Sequence, residues 1–183
     1  MPNVFIMDSD QELIELVNEG DADAFETLYR RYRDWVYHVA WRFTGSRQDA
    51  LDVLQETFTY LLGKFPGFSL TASMTTFLYP VVRHISMTIR SKNRRFVSDE
   101  EMLSEITAPA SKETHGSRSE LAAVLAVLPD EQREVLLMRF VDEMSLEEIA
   151  AALNIPLGTV KSRLHNALQK LQDDRRTKEY FLE

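Results

Sequence analysis

Between Ser145 and Leu171 the chain reads SLEEIAAALNIPLGTVKSRLHNALQKL, a pattern that fits two short helices meeting at a sharp turn and little else. Ser145 with Glu148 three residues on is a capping-box signal, so a helix starts there with Leu146, Ile149, Ala150 and Leu153 inward. Ala150 is small where two helices must cross closely. Asn154 stands at the turn, where a left-handed backbone is wanted and only Gly tolerates it better. Pro156 suits the first turn of the second helix, since its missing donor would be unpaired there anyway. Val160 and Leu164 pack that helix back on the first, which leaves Thr159, Lys161, Ser162, Arg163, His165 and Asn166 on the opposite face. Hydroxyls and cations near a helix N-terminus suit the phosphates and base edges of a DNA major groove. A plain helical hairpin with a polar outer face is the alternative.

The rest of the chain is also helical in pattern. Ser9 and Glu12 form a second capping box ahead of Leu13, Ile14, Leu16 and Val17, with Gly20 ending that helix. After Asp21, a usable N-cap, Phe25, Leu28, Tyr29, Tyr32, Val36, Val39, Ala40 and Phe43 recur at intervals of three and four up to Gly45. Ser46 and Asp49 open a third helix with the stripe Ala50, Val53, Leu54, Phe58, Leu61 and Leu62, closed by Gly63. Residues 64–71 hold Phe65, Pro66, Gly67 and Phe68 and read as a loop with semi-exposed aromatics. A fourth helix is expected from about Ser73. Periodicity is lost over residues 96–118, which mix Ser, Thr and Glu with Pro109 and Gly116, so they read as a flexible linker. No β-alternation competes. The expected class is all-α: a domain over residues 1–95, the linker, a four-helix helix-turn-helix domain over 119–174, and a tail over 175–183.

Charge sharpens this picture. The net charge of −8 argues at first against nucleic acid. Residues 1–28, however, carry eight acids and no Lys or Arg, so the remainder sums to zero. Within it, residues 83–95 hold Arg83, Arg90, Lys92, Arg94 and Arg95 without an acid, and residues 155–172 hold Lys161, Arg163 and Lys170 without one. Basic islands of this kind are either solvated helix faces or phosphate-binding surfaces. The one-sided segment 1–28 is either a solvated face or a decoy for a basic surface.

Three stretches together resemble a known family. LPDEQREVLLMRFVDEMSLEEIAAALNIPLGTVKSRLHNALQKL (Leu128 to Leu171) looks like the C-terminal domain of sigma-70-family factors. AFETLYRRYRDWVY (Ala24 to Tyr37) and DALDVLQETFTYLL (Asp49 to Leu62) resemble the two halves of the N-terminal domain of the extracytoplasmic-function group. The resemblance implies a bacterial transcription-initiation subunit rather than an enzyme, with core RNA polymerase and promoter DNA as partners and an anti-sigma factor as a regulator. It implies that the helix matching Asp49 to Phe58 docks on the coiled coil of the largest β-type polymerase subunit. Asp49, Asp52, Gln55 and Glu56 would form the docking face, since Asp52 and Glu56 are four apart on one side of a helix. It further implies that Phe65 to Arg95 reads and opens the minus-ten element, while the helix-turn-helix reads the minus-thirty-five element. Phe68, Phe77 and Tyr79 would catch unstacked bases, at about 1–3 kcal/mol per stacked base. Arg83, His84, Arg90, Lys92, Arg94 and Arg95 would track the strand, and neutralising six phosphates would give a log–log salt slope of roughly −5.

Four positions depart from the family pattern, which typically has Trp where Phe77 stands, a basic residue where Pro80 stands, and often basic or small residues where Thr75 and Thr76 stand. An interior proline costs about 3 kcal/mol in an undistorted helix, so a kink or a later helix start is expected near Pro80. The competing classes are a stand-alone helix-turn-helix regulator and a metal-dependent hydrolase. For the hydrolase, His38, His84, His115 and His165 are scattered and no HExxH or phosphate-binding glycine loop occurs. No cofactor and no metal are expected. With no cysteine, no signal-peptide pattern and no long apolar run, the expectation is a soluble cytoplasmic protein without membrane insertion.

Overall fold

A computed structural model describes residues 9–101 and 124–174. They form seven helices in chain order: α1 (Asp10–Asn18), α2 (Ala22–Thr44), α3 (Arg47–Leu62), α4 (Met74–Glu101), α5 (Asp130–Phe140), α6 (Leu146–Leu153) and α7 (Leu157–Asp173). No strand occurs among the described residues, as the periodicity predicts. The chain divides into two units, residues 1–105 and 106–183.

In the first unit the helix starts follow the side chains predicted to set them. Ser9 Oγ accepts from the Glu12 amide at 3.3 Å while Glu12 Oε2 accepts from the Ser9 amide at 2.6 Å, closing the capping box of α1. Hydrogen bonding to the Glu12 carboxylate from the Ser9 backbone amide first, and from the Ser9 side chain second, favours the ionised form and holds the exposed Glu12 carboxyl below its ordinary range. Asp21 caps α2 through the Asp23 and Ala24 amides, and Ser46 caps α3 through Asp49. Gly45 ends α2 at φ 68, a left-handed conformation that costs glycine little. The three long helices pack pairwise, and α1 lies on α2. Their common core is Leu28, Val36, Val39, Ala50, Val53, Phe58, Leu61, Met74, Leu78 and Val82. The predicted α3 stripe needs one amendment: Leu62 is 51 % exposed, and Thr57 takes the inward position one turn back.

Helix α4 begins at Met74, where Ser73 Oγ accepts from the Thr76 amide, and it runs through Pro80 to Glu101. Of the two outcomes expected at Pro80, the later start is therefore excluded. The proline sits on the solvent side, in the second turn of the helix. Helix α4 also extends six residues past the expected boundary at 95, into the stretch read as linker; residues 102–118 of that stretch lie outside the described residues.

The second unit packs α7 against both α5 and α6. Leu128, Leu136 and Ala167 form a cluster with Leu125, Leu164 and Leu171, and Val135, Met138, Ile149 and Val160 are buried beside them. The turn between α6 and α7 is built as predicted. Asn154 has φ 52 and ψ 48, and the Ile155 amide reaches back to the Ala150 carbonyl at 3.0 Å. Pro156 stands one residue before α7, at its N-cap rather than in its first turn, and its carbonyl accepts from Thr159 and Val160. Of the first of the four expected helices, residues 124–125 are helical; the predicted tail, 175–183, lies outside the described residues.

Candidate nucleic-acid interface

On α7, the packing of Val160, Leu164 and Ala167 against α5 and α6 turns the other side outward. Lys161, Ser162, His165 and Asn166 are exposed there, and Thr159 is half-buried at the edge. Arg163 differs from its neighbours. Its guanidinium folds toward α5 and pairs with Glu131 Oε2 at 2.5 Å, with only 23 % of its side chain exposed. The predicted six-residue face is thus a four-residue outer strip with Arg163 held at its flank by an acid.

The first unit gathers its aromatics around the loop that joins α3 to α4. Phe68 lies 4.9 Å from Phe77 and 5.4 Å from Phe65, and Phe77 stacks on Tyr60 at 6.5 Å. Lys64 Nζ sits 4.4 Å over the Tyr60 ring, which adds a cation to the group. Phe68 and Phe77 are half-buried. Tyr79 is a correction: it is 2 % exposed and packs between Trp35 and Phe43, so its ring belongs to the core and cannot catch a base.

The basic island of α4 is divided. Arg83, His84 and Arg90 share the exposed side with Pro80, and Arg90 Nη1 also reaches the Phe43 carbonyl at the end of α2. Lys92 is a second correction. It follows Arg83 by two and a half turns, which puts it on the opposite side of the helix. There it lines a groove of about 740 Å³ with Ile85, Ile89 and Asn93 on its own wall and Asp49, Asp52, Gln55 and Glu56 on the α3 wall. The side chains of Arg94 and Arg95 lie outside the described residues.

That groove brings all four predicted docking residues to one wall. Asp52, Gln55 and Glu56 are exposed, and Asp49 accepts from Asn93 Nδ2 at 2.9 Å, tying the two walls together. Leu51, Tyr60 and Leu62 are exposed on the same helix, so apolar area accompanies the acids. An acidic strip beside exposed apolar residues suits a basic amphipathic helix better than it suits DNA.

Comparison with known proteins matches one family model to each unit. The family model "Sigma-70 region 2" matches residues 28–96, and "Sigma-70, region 4" matches residues 124–173. The ECF RNA polymerase sigma factor SigW of Bacillus subtilis is 31 % identical over 173 residues, covering 87 % of this chain and 92 % of the relative. The chain belongs to the sigma-70 family, in its extracytoplasmic-function group. Two solved sigma-factor structures share the fold of this family member. CnrH in complex with the cytosolic domain of CnrY has a TM-score of 0.67 at 24 % identity, over 90 % of this chain and 96 % of that one. RpoE of Bartonella quintana in complex with the anti-sigma factor NepR has a TM-score of 0.64 at 22 % identity, over 83 % and 96 %.

Two side chains of this sigma factor were missed by sequence reasoning. Arg133 donates to the carbonyls of Leu125 at 2.9 Å and Leu128 at 2.8 Å, closing the turn ahead of α5. Asn18, the last residue of α1, bonds the loop at Gly67 and Phe68. Neither belongs to an apolar stripe or a local motif. Segment 1–28 is also more than a charged face: Asp10 holds Arg31 and the Tyr32 hydroxyl on α2, and burial together with that carboxylate pushes the Tyr32 phenol far above its ordinary pKa.

Proposed function

We propose that the protein works as a two-part promoter reader, with the α3 wall of the acidic groove docked on core RNA polymerase. As an extracytoplasmic-function sigma factor it directs promoter-specific transcription initiation by RNA polymerase. The outer strip of α7 with Arg163 reads the minus-thirty-five element; Phe68, Phe77 and the exposed Arg83, His84 and Arg90 read and open the minus-ten element. The observation that carries the assignment is the segregation of charge within unit 1. Acids line the α3 wall of the groove, faced by the single cation Lys92, while Arg83, His84 and Arg90 are exposed on the outer side of α4. DNA and a basic protein helix would therefore meet separate surfaces.

In this reading the protein acts without a catalytic site of its own. Among the described residues no group of three or more His, Asp or Glu is placed to hold a metal, and no helix is long and apolar enough to cross a membrane. We place the protein in the cytoplasm, where the polymerase is. An anti-sigma factor is a fitting regulator, because the structural relative RpoE was solved with one.

Reversing charge on the α3 wall tests the docking assignment. The double variant Asp52→Arg and Glu56→Arg, both exposed, should keep its fold and its binding to minus-thirty-five duplex while losing most affinity for core polymerase in a competition assay. Unchanged affinity for core would remove α3 as the docking helix.

A further inference from the structure

The geometry points to Asn18 as a positioning residue for promoter opening: a side-chain clamp, delivered by α1, that holds the Phe68 loop in the conformation that catches an unpaired base. The inference rests on the minus-ten reading above and adds to it a residue outside the loop and outside α4.

Asn18 uses both ends of its amide. Its Oδ1 accepts from the Gly67 amide at 2.6 Å and from the Phe68 amide at 3.0 Å, while its Nδ2 donates to the Phe68 carbonyl at 2.8 Å. Three bonds from one side chain to two consecutive residues fix the backbone on either side of the Phe68 Cα, and with it the direction in which the ring leaves the chain. Gly67, at φ 95, takes a backbone conformation that costs glycine little, so the loop can accept the shape that the clamp imposes.

The clamp itself has an anchored base. Asp10, at the other end of α1, pairs with Arg31 and accepts from the Tyr32 hydroxyl, and Leu13, Ile14 and Val17 are buried in the unit. Helix α1 is thereby tied to α2 at its start and to the loop at its end. What Asn18 positions is a ring in contact with Phe65 and Phe77, all three half-buried and so partly open to solvent. A preorganised aromatic edge captures an extruded base without first ordering the loop, and losing that order weakens capture while leaving surfaces on α3 and α7 intact.

The test compares wild type, Asn18→Ala and Asn18→Asp as full-length chains in holoenzyme. The probe is a duplex promoter fragment recovered by run-off transcription with the wild-type holoenzyme. Permanganate reactivity of minus-ten thymines reports opening; competition for core polymerase and binding to minus-thirty-five duplex are measured in parallel. Asn18→Ala should lower opening about tenfold with both other affinities unchanged. Asn18→Asp keeps two acceptor contacts, loses the donor and should fall between. A parallel loss of core binding would mark Asn18 as a structural residue and overturn the proposal, as would an Asn18→Ala holoenzyme that opens like wild type. An aspartate variant no better than alanine would also overturn it, and this variant keeps the question decidable if alanine prevents folding. Failure of the wild-type holoenzyme to open any fragment would instead sink the minus-ten reading itself.

Discussion

The reading face of α7 and the loop ahead of α4 are two ways of building a nucleic-acid surface in one chain. The α7 face is local: its cap, its left-handed turn residue, its packing stripe and its exposed strip all lie between Ser145 and Leu171. The loop is assembled from afar, with Asn18 bonding Phe68 across 50 positions of sequence and the rings of Tyr60, Phe65, Phe68 and Phe77 drawn from α3, the loop and α4. A local reader fails when one of its own residues changes. A distributed reader fails when anything that shapes its unit changes, and its parts are harder to assign to DNA or to core.

Tyr79 gives the widest separation between the two. Its removal empties a fully buried site between Trp35 and Phe43, so Tyr79→Ala should cost about 3–5 kcal/mol in urea unfolding of the first unit. Core binding and promoter opening should fall together while minus-thirty-five binding persists. Loss of opening alone, with stability intact, would restore Tyr79 as a base-catching residue.

Arg133 probes the second unit in the same way. Arg133→Ala takes one donor from the Leu125 carbonyl, which keeps the Leu128 amide, and one from the Leu128 carbonyl, and should lower stability by about 2 kcal/mol, read as a drop in the thermal midpoint of the second unit. A midpoint equal to wild type would mean that this turn is held by packing alone. On the exposed strip, Lys161→Ala should leave stability untouched. It should reduce the salt slope of minus-thirty-five binding by about 0.9, the signature of one lost phosphate contact. A change of base preference at constant slope would assign Lys161 to a base edge instead.

The smallest effect concerns α1. Because hydrogen bonding depresses the Glu12 carboxyl, the capping box contributes fully above the ordinary glutamate range and loses its contribution as pH falls through the lower folded value. Nuclear magnetic resonance titration of Glu12 should show the depression in wild type and a smaller one in Ser9→Ala, which removes the hydroxyl but keeps the Ser9 backbone donor, the larger cause. An unaltered titration in the variant would refute the box.

What could be read before folding follows the same divide. Caps at Ser9, Asp21, Ser46 and Ser145 and the left-handed Asn154 depend on neighbours a few residues away, so the sequence shows them directly. The three acids and one amide of the α3 docking face share a helix face by spacing, and the structure brings them to one groove wall. Tyr79 and Lys92 were misjudged because aromatic and cationic character was read without the facing: which side of α4 meets α2 and α3 depends on contacts far along the chain. Asn18 and Arg133 were invisible for the related reason that their partners are backbone atoms, which carry no sequence signature.

The central claim is that this chain lets core RNA polymerase start at defined promoters. Run-off transcription with core polymerase on genomic fragments, with and without the protein, tests it most directly. The account predicts discrete transcripts that require the protein and disappear with the α3 double variant. Transcripts no different from those of core polymerase alone would contradict it.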